Sequence, residues 1–239
     1  MTTLIYQTDS TVREFKAIIT GHNEDLHAIS LDKTVFYPGG GGQPNDVGKL
    51  LLSDKEYPVV KVKKYKGEVW HCLPPQLALP KIGGNIYGRV NWERRHQLMR
   101  THTAMHILCG VVWRDYGASV TGGDMDPLKG RMDFEFENFS ADLVHTIEEA
   151  VNVEVAADRP IYVKTLPRAE AFAIPDLIRT KINLLPEGIE EIRTVEIAGL
   201  DLQADGGTHV QKTSEVGTIR VVKHKSKGKI NKRIYVEID

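Results

Sequence analysis

Over the first 90 residues the apolar positions come in short runs. Leu4–Gln7, Val12–Thr20, His27–Phe36, Val47–Leu52, Val59–Lys64 and Val69–Leu73 are rich in β-branched and aromatic residues and are broken by Gly, Pro, Asp and Asn. That is the pattern of half-buried strands. Several short strands at close spacing predict a small barrel or a curved sheet. Pro80 and Gly83-Gly84 mark a break, and Ile86–Val90 predicts the strand that opens a second region. There the period changes. Leu98, Ala104, Met105, Leu108, Val111 and Val112 recur at helical spacing, which predicts a helix over Arg94–Trp113 with Asn91 as its N-cap. Tyr116–Gly123 reads as a loop. Gly130–Phe136 reads as a strand with Met132, Phe134 and Phe136 inward and Arg131 and Asp133 on the other face. Ser140 caps a second helix that buries Leu143, Ile147, Ala150 and Val151. Ile161–Leu166 and Ile192–Ile197 read as strands, Arg168–Arg179 as a short helix broken at Pro175, and Thr218–His224 with Arg233–Ile238 as a closing hairpin.

The pattern predicts an α+β chain of two domains. Residues 1–84 form a β-rich, small barrel-like domain, and residues 85–239 form a two-layer α/β domain with helices on an antiparallel sheet. Of the 239 residues, 41% are hydrophobic and 26% charged, enough to bury a core. The formal net charge of −1 argues against a protein that coats nucleic acid through its overall charge, but leaves room for local basic patches. The two cysteines suggest no disulfide framework, and Cys109 reads as a small buried residue. No signal peptide and no apolar run of about 18 residues is present, so a cytoplasmic location with no membrane contact is expected.

Two segments carry candidate chemistry. His102 and His106 stand four residues apart on the predicted helix, about 40° apart in azimuth, so their imidazoles can converge. Far downstream, Asp205 and His209 flank a Gly-Gly turn that lets two side chains fold back onto one point. Together they offer three imidazoles and a carboxylate, either a closed four-coordinate zinc shell or a three-ligand site with an open position. The alternative is an incidental histidine pair and a glycine turn carrying a surface histidine. The residue after His102 is Thr103, so the glutamate base of a His-Glu-x-x-His protease is absent. Gly39, Gly40, Gly41 and Gly42 form a run that suits close backbone approach or positive φ, and Gln43-Pro44 after it excludes a P-loop. Asp46 reads as a cap of the following turn. Arg94 and Arg95 oppose the helix dipole at the helix start, and Lys225, Lys227 and Lys229 stand in the densest charge run. These five are candidate phosphate contacts, with solvated surface charge as the alternative.

His102-Thr-Ala-Met-His106 resembles the HxxxH motif of the AlaX proteins and of the editing domain of alanyl-tRNA synthetase. Asp205-Gly-Gly-Thr-His209-Val is similar to their second motif, Cys-Gly-Gly-Thr-His-Val, except at its first residue. Phe36–Pro44 resembles the glycine-rich motif of the longer AlaX class, and Arg131–Phe134 the strand between the metal motifs. The order and spacing agree over almost the whole chain. The resemblance implies one Zn2+ per chain on His102, His106, Asp205 and His209. It implies a free-standing, metal-dependent hydrolase that deacylates tRNA(Ala) mischarged chiefly with serine, and also glycine. It also implies a glycine loop that reaches the editing pocket and helps choose the amino acid. Thr103, Thr121, Gln43 and Thr208 are candidates to bond the serine hydroxyl, since a site built for a hydroxyl rejects a substrate that lacks one. Asp205 in place of cysteine makes a harder, more Lewis-acidic site. A hydrolase of another aminoacyl ester, and a metal-stabilised RNA-binding module without hydrolytic activity, stay open as alternatives.

Overall fold

The computed structural model describes residues 2–137, 139–179 and 188–239. The chain divides into two compact units, Met1–His96 and Gln97–Asp239. No helix among the described residues is long and apolar enough to cross a membrane.

The first unit is sheet. Its strands are β1 (Thr3–Leu4), β2 (Glu14–Asn23), β3 (Ala28–Leu31), β4 (Lys33–Thr34), β5 (Gly48–Leu52), β6 (Lys55–Val59), β7 (Lys61–Tyr65), β8 (Glu68–Cys72) and β9 (Asn85–Val90). Seven of them hydrogen-bond in the order β6-β5-β9-β2-β3-β8-β7, and β1 pairs with β4 in parallel. Alternation sets the inner face: in β2, Phe15, Ala17 and Ile19 are buried while Glu14 and Lys16 are exposed. These residues pack with Ile29, Leu31, Phe36, Leu50, Val59, Val62, Val69, Ile86 and Val90 into one core.

The expected barrel does not close. β6 and β7 end the strand order and do not pair with each other. Only Val60 separates them, so the chain runs straight from one into the other instead of turning back to form a ladder. The seven strands form an open sheet whose two end strands are consecutive in the chain. β6 escaped the sequence pattern because Lys55, Glu56 and Pro58 dilute its apolar positions. β9, read as opening a new region, pairs with both β2 and β5 inside this sheet.

The glycine run is a built turn. Gly39, Gly40, Gly41 and Gly42 all have positive φ (82°, 140°, 57° and 88°), a succession that side chains with a Cβ resist. Gly40 and Gln43 exchange backbone hydrogen bonds of 3.1 and 2.9 Å, and the Tyr37 hydroxyl donates to Gly40 O at 2.9 Å. Asp46 closes the base of the loop, donating its N–H to Tyr37 O and accepting that of Tyr37.

The second unit holds most of α1 (Trp92–Tyr116), then β10 (Val120–Asp126), β11 (Lys129–Glu135), α2 (Ala141–Ala156), β12 (Ile161–Pro167), α3 (Arg168–Phe172), β13 (Glu191–Ile197), β14 (Asp201–Ala204), β15 (Ile219–Ser226) and β16 (Asn231–Ile238). The unit boundary falls within α1. Asn91 caps that helix as expected, its Oδ1 accepting the Arg94 N–H at 3.1 Å. Ser140 caps α2, accepting the Leu143 N–H at 3.1 Å. Two antiparallel sheets form, β10-β11-β16-β15 and β12-β13-β14, where one was expected. β10 lies where a loop was read, because Gly122 and Gly123 mask a strand that pairs with β11 through a register shift between Val120 and Gly122. α3 stops at Phe172, well before Arg179, as Pro175 constrains the residue before it. Residues 101–112 of α1 are buried all round, so its polar members need internal partners.

Candidate metal centre

Those buried polar members are Thr101, His102, Thr103 and His106. His102 and His106 lie one turn apart on α1, with ring centroids 5.1 Å apart. The segment after β14 brings the third ring: His209 stacks on His102 at 4.2 Å and meets His106 edge-on at 4.8 Å. Asp205 completes the group, its carboxylate 3.5 Å from His102 Nε2 and 3.0 Å from His209 Nε2. One donor atom from each of the four lies within 4.8 Å of the others, so the cluster can hold a metal ion.

Three of the four candidates, Asp205, His106 and His209, are held from behind. The backbone of Asp205 is tied to β13, its N–H donating to Arg193 O at 3.1 Å and its carbonyl accepting from Arg193 Nη1 at 2.9 Å. Its Oδ2 accepts the Gly207 N–H at 2.7 Å, an Asx turn that aims the carboxylate inward. His106 Nδ1 stands 3.0 Å from Asp201 Oδ2. A carboxylate only accepts, so Nδ1 carries the proton and Nε2 presents its lone pair to the cluster. Gln203 Nε2 donates to the same Asp201 oxygen at 2.7 Å. Arg179 Nε lies 3.6 Å from Asp201 Oδ1, and its guanidinium stacks over Trp113 at 4.7 Å. Gly110, one turn beyond His106, makes this approach possible. A Cβ there would sit 2.9 Å from Leu200 Cγ and 3.0 Å from Asp201 Cβ.

His209 has a more adaptable support. Its Nδ1 lies 3.1 Å from the Thr103 hydroxyl, which also accepts the Val210 N–H at 3.3 Å. With Asp205 accepting from Nε2, Nδ1 accepts from Thr103. If Nε2 becomes a metal ligand, Nδ1 donates to Thr103 instead. A hydroxyl serves either tautomer, so the contact survives ligation.

Protonation fits a cation. Burial pushes His209 down to about 4 and His102 well below its ordinary value. Burial opposes charge on Asp205 too, but the His102 and His209 rings beside it hold its carboxyl well below the usual range. On His106 burial is outweighed by Asp201, which raises its pKa. Deprotonated His102, His209 and Asp205 are the forms a metal needs, and nitrogen and oxygen donors of this kind suit zinc and its borderline neighbours.

The other candidate residues are scattered. Thr208 is fully buried in the turn before His209. Thr103 is committed to His209. Thr121 is exposed on β10, with its hydroxyl 3.2 Å from Asn231 Oδ1. Gln43 is buried in the first unit, bridged to Gly40. Lys225, Lys227 and Lys229 are exposed at the β15–β16 hairpin. Arg94 is half-buried and reaches Asn45 O at 3.4 Å. Arg95 is a correction. It is fully buried, with Nε 2.9 Å from each Asp46 oxygen, Nη2 on Val35 O and Nη1 on Ser10 O, so its guanidinium pins the first unit and is not available to phosphate. Asp46 is accordingly its counter-ion as well as the clasp of the glycine loop. Arg100, farther along α1, donates its Nε–H to the Val216 carbonyl at 2.8 Å. Asp201, Gln203 and Arg193 escaped the sequence reading. The only sequence signal for them was a pair of polar residues, Asp201 and Gln203, alternating just before the Asp205 motif.

Residues 192–235, which include the Asp205–His209 segment, match the family described as the threonyl and alanyl tRNA synthetase second additional domain. Residues 3–94 match the class II (A) tRNA synthetases. The chain is 38% identical over 240 residues to the alanyl-tRNA editing protein AlaX-M of Saccharolobus solfataricus, covering 100% of this chain and 99% of that protein. It is 36% identical over 242 residues to the AlaX-M protein of Methanosarcina acetivorans, covering 98% of each. Against the alanine–tRNA ligase of Ignicoccus hospitalis it is 36% identical over 224 residues, covering 91% of this chain and 24% of the ligase.

Proposed function

The chain belongs to the AlaX-M family of alanyl-tRNA editing proteins, and from that premise we propose that it hydrolyses in trans the ester joining a wrongly attached amino acid to tRNA(Ala), chiefly serine and also glycine. The observation that carries this reading is the convergence of His102, His106, Asp205 and His209 on one buried point, in a chain that matches 98–99% of the length of its AlaX-M relatives. We assign one Zn2+ to these four residues. When bound, it would supply Lewis acidity toward an ester carbonyl or a water of lowered pKa.

The chain's own residues orient that centre. Asp201 fixes the His106 tautomer, Thr103 holds His209 in either tautomer, and Arg193 with the Gly207 N–H holds Asp205. Serine is told from alanine by a hydrogen bond to its hydroxyl, for which Thr208 and Thr121 are the candidates in the second unit. Thr103 acts as a support of His209 in this scheme, not as a substrate contact. The carboxylate of Asp205 gives the centre a harder donor than the family's usual thiolate, and so a metal that exchanges more readily.

The test is deacylation of seryl-tRNA(Ala) beside alanyl-tRNA(Ala), with metal content measured on the same sample. Rapid loss of serine but not alanine, abolished by chelation and by His102→Ala, is the expected result. Loss of neither amino acid from protein carrying one zinc per chain would overturn the hydrolytic reading.

A further inference from the structure

Charge is segregated along this chain. Seven of its 31 Lys and Arg lie between Arg220 and Arg233, and no Asp or Glu lies between Glu215 and Glu237. Without that stretch the chain would be strongly acidic. It folds as the β15–β16 ribbon, with β15 at the edge of its sheet. A bulge at Val222 sets the register, so that Lys223 opposes Tyr235 and Lys225 opposes Arg233 on one face. Lys223, Lys225, Lys227 and Lys229 are all exposed, and among the described residues none is within ion-pairing distance of a carboxylate. The two arginines are spoken for: Arg233 forms a bidentate pair with Asp133 at 2.6 and 2.7 Å, and Arg220 pairs with Asp239.

Lys232 does something different. It is buried, and its ammonium donates to Ser226 Oγ at 3.0 Å, Gly228 O at 2.8 Å and Lys229 O at 3.0 Å. A lysine that uses its donors on the hairpin tip holds Lys227 and Lys229 on an ordered backbone, which lowers the entropy lost on binding. Lysines on an edge strand also deter edge-to-edge pairing. That role accounts for Lys223 and Lys225, but Lys227 and Lys229 lie past the end of β15, where there is no edge strand to protect.

We propose that the β15–β16 ribbon is a tRNA-backbone contact, in which Lys223, Lys225, Lys227 and Lys229 neutralise successive phosphates of the aminoacyl-tRNA. This inference rests on the editing reading for its partner. Lysines act on phosphate as point charges and carry no base-reading fork, so the ribbon adds affinity and not tRNA identity. Lys223 and Lys225, alternate residues of β15, stand about 7 Å apart on one face, which suits one phosphate per lysine along a single nucleic-acid strand, and Lys227 and Lys229 lie at the hairpin tip.

The experiment replaces the four lysines by alanine together. It measures binding of uncharged tRNA(Ala) against salt, and steady-state deacylation of seryl-tRNA(Ala). Uncharged tRNA separates this surface from the chemistry, so a wild-type protein that binds tRNA but hydrolyses nothing would defeat the editing reading and leave the ribbon testable. We expect affinity to fall on the order of tenfold or more at physiological salt, and the slope of log K against log salt to lose about 0.7–0.9 for each contact. KM should rise with kcat unchanged, and a four-fold Lys→Arg variant should retain binding. An unchanged salt slope and affinity in the alanine variant, with an unchanged melting temperature, would overturn the proposal. So would a fall in affinity shared equally by the arginine variant.

Discussion

Asp201→Asn is the sharpest probe of the centre, because it removes a charge while keeping the shape. Asp201 Oδ2 takes two donors, His106 Nδ1 at 3.0 Å and Gln203 Nε2 at 2.7 Å, and its side chain is fully buried. An asparagine with its amide oxygen in that place keeps both contacts but as neutral hydrogen bonds. A charged partner contributes about 1.5–3 kcal/mol per bond and a neutral one about 0.5–1.5, so roughly 1–1.5 kcal/mol of the His106 support is lost. That corresponds to about tenfold in metal affinity, at the lower edge of the 10–100-fold seen when groups behind metal ligands are changed. Among the described residues, the same substitution leaves Arg179 with Asp176, 3.8 Å away, as its counter-charge. Some stability should therefore go too, though less than the about 3–5 kcal/mol of a stranded buried charge. Metal affinity is read by competition with a chromophoric chelator, and stability by urea unfolding of the metal-free protein. Weakened binding beyond what stability accounts for, with Gln203→Ala giving a smaller loss in the same direction, is the expected result. Affinity within twofold of wild type in a folded Asp201→Asn protein would refute the argument that this carboxylate sets the tautomer of a ligand.

Two further predictions concern the first unit. His71 is buried against Thr34 Oγ1 at 2.8 Å, and burial pushes it down to about 4. Below about pH 6.5 the unfolded chain gains a proton that the native ring refuses, so stability falls by up to about 3 kcal/mol between pH 6.5 and 4 and then levels off. Urea melts across that range should show a shallower slope for His71→Gln than for wild type; parallel slopes would count against it. Arg95→Ala strands Asp46 in the core and should cost about 3–5 kcal/mol, whereas Arg95→Met with Asp46→Leu should cost less, since no buried charge is left. A single variant less than 1 kcal/mol below wild type in denaturant melts would show that the Arg95–Asp46 pair does not hold the loop.

The clustering of His102, His106, Asp205 and His209 was legible in the sequence, and the reason is local geometry. A helix converts the spacing of His102 and His106 into convergence, and a Gly-Gly turn does the same for Asp205 and His209, so each pair is encoded within five residues. What stands behind them is not local. Asp201 reaches His106 across 95 positions, and only because Gly110 lets the turn before β14 close on α1. Arg95 was misread for the same reason. A cation at a helix start looks solvated until Asp46, 49 residues earlier, is placed against it. Strands were found where apolar and polar residues alternated, as in β2 and β11, and missed where glycine or charge broke the alternation, as in β10 and β6. The barrel failed on a single residue, since Val60 gives β6 and β7 no room to turn back on each other. For Asp201 and Arg95 the missing information was a contact made by distant parts of the chain. Those contacts decide which charged residues serve as supports inside the fold, as Arg95 and Asp201 do, and which, like the ribbon lysines, stay exposed.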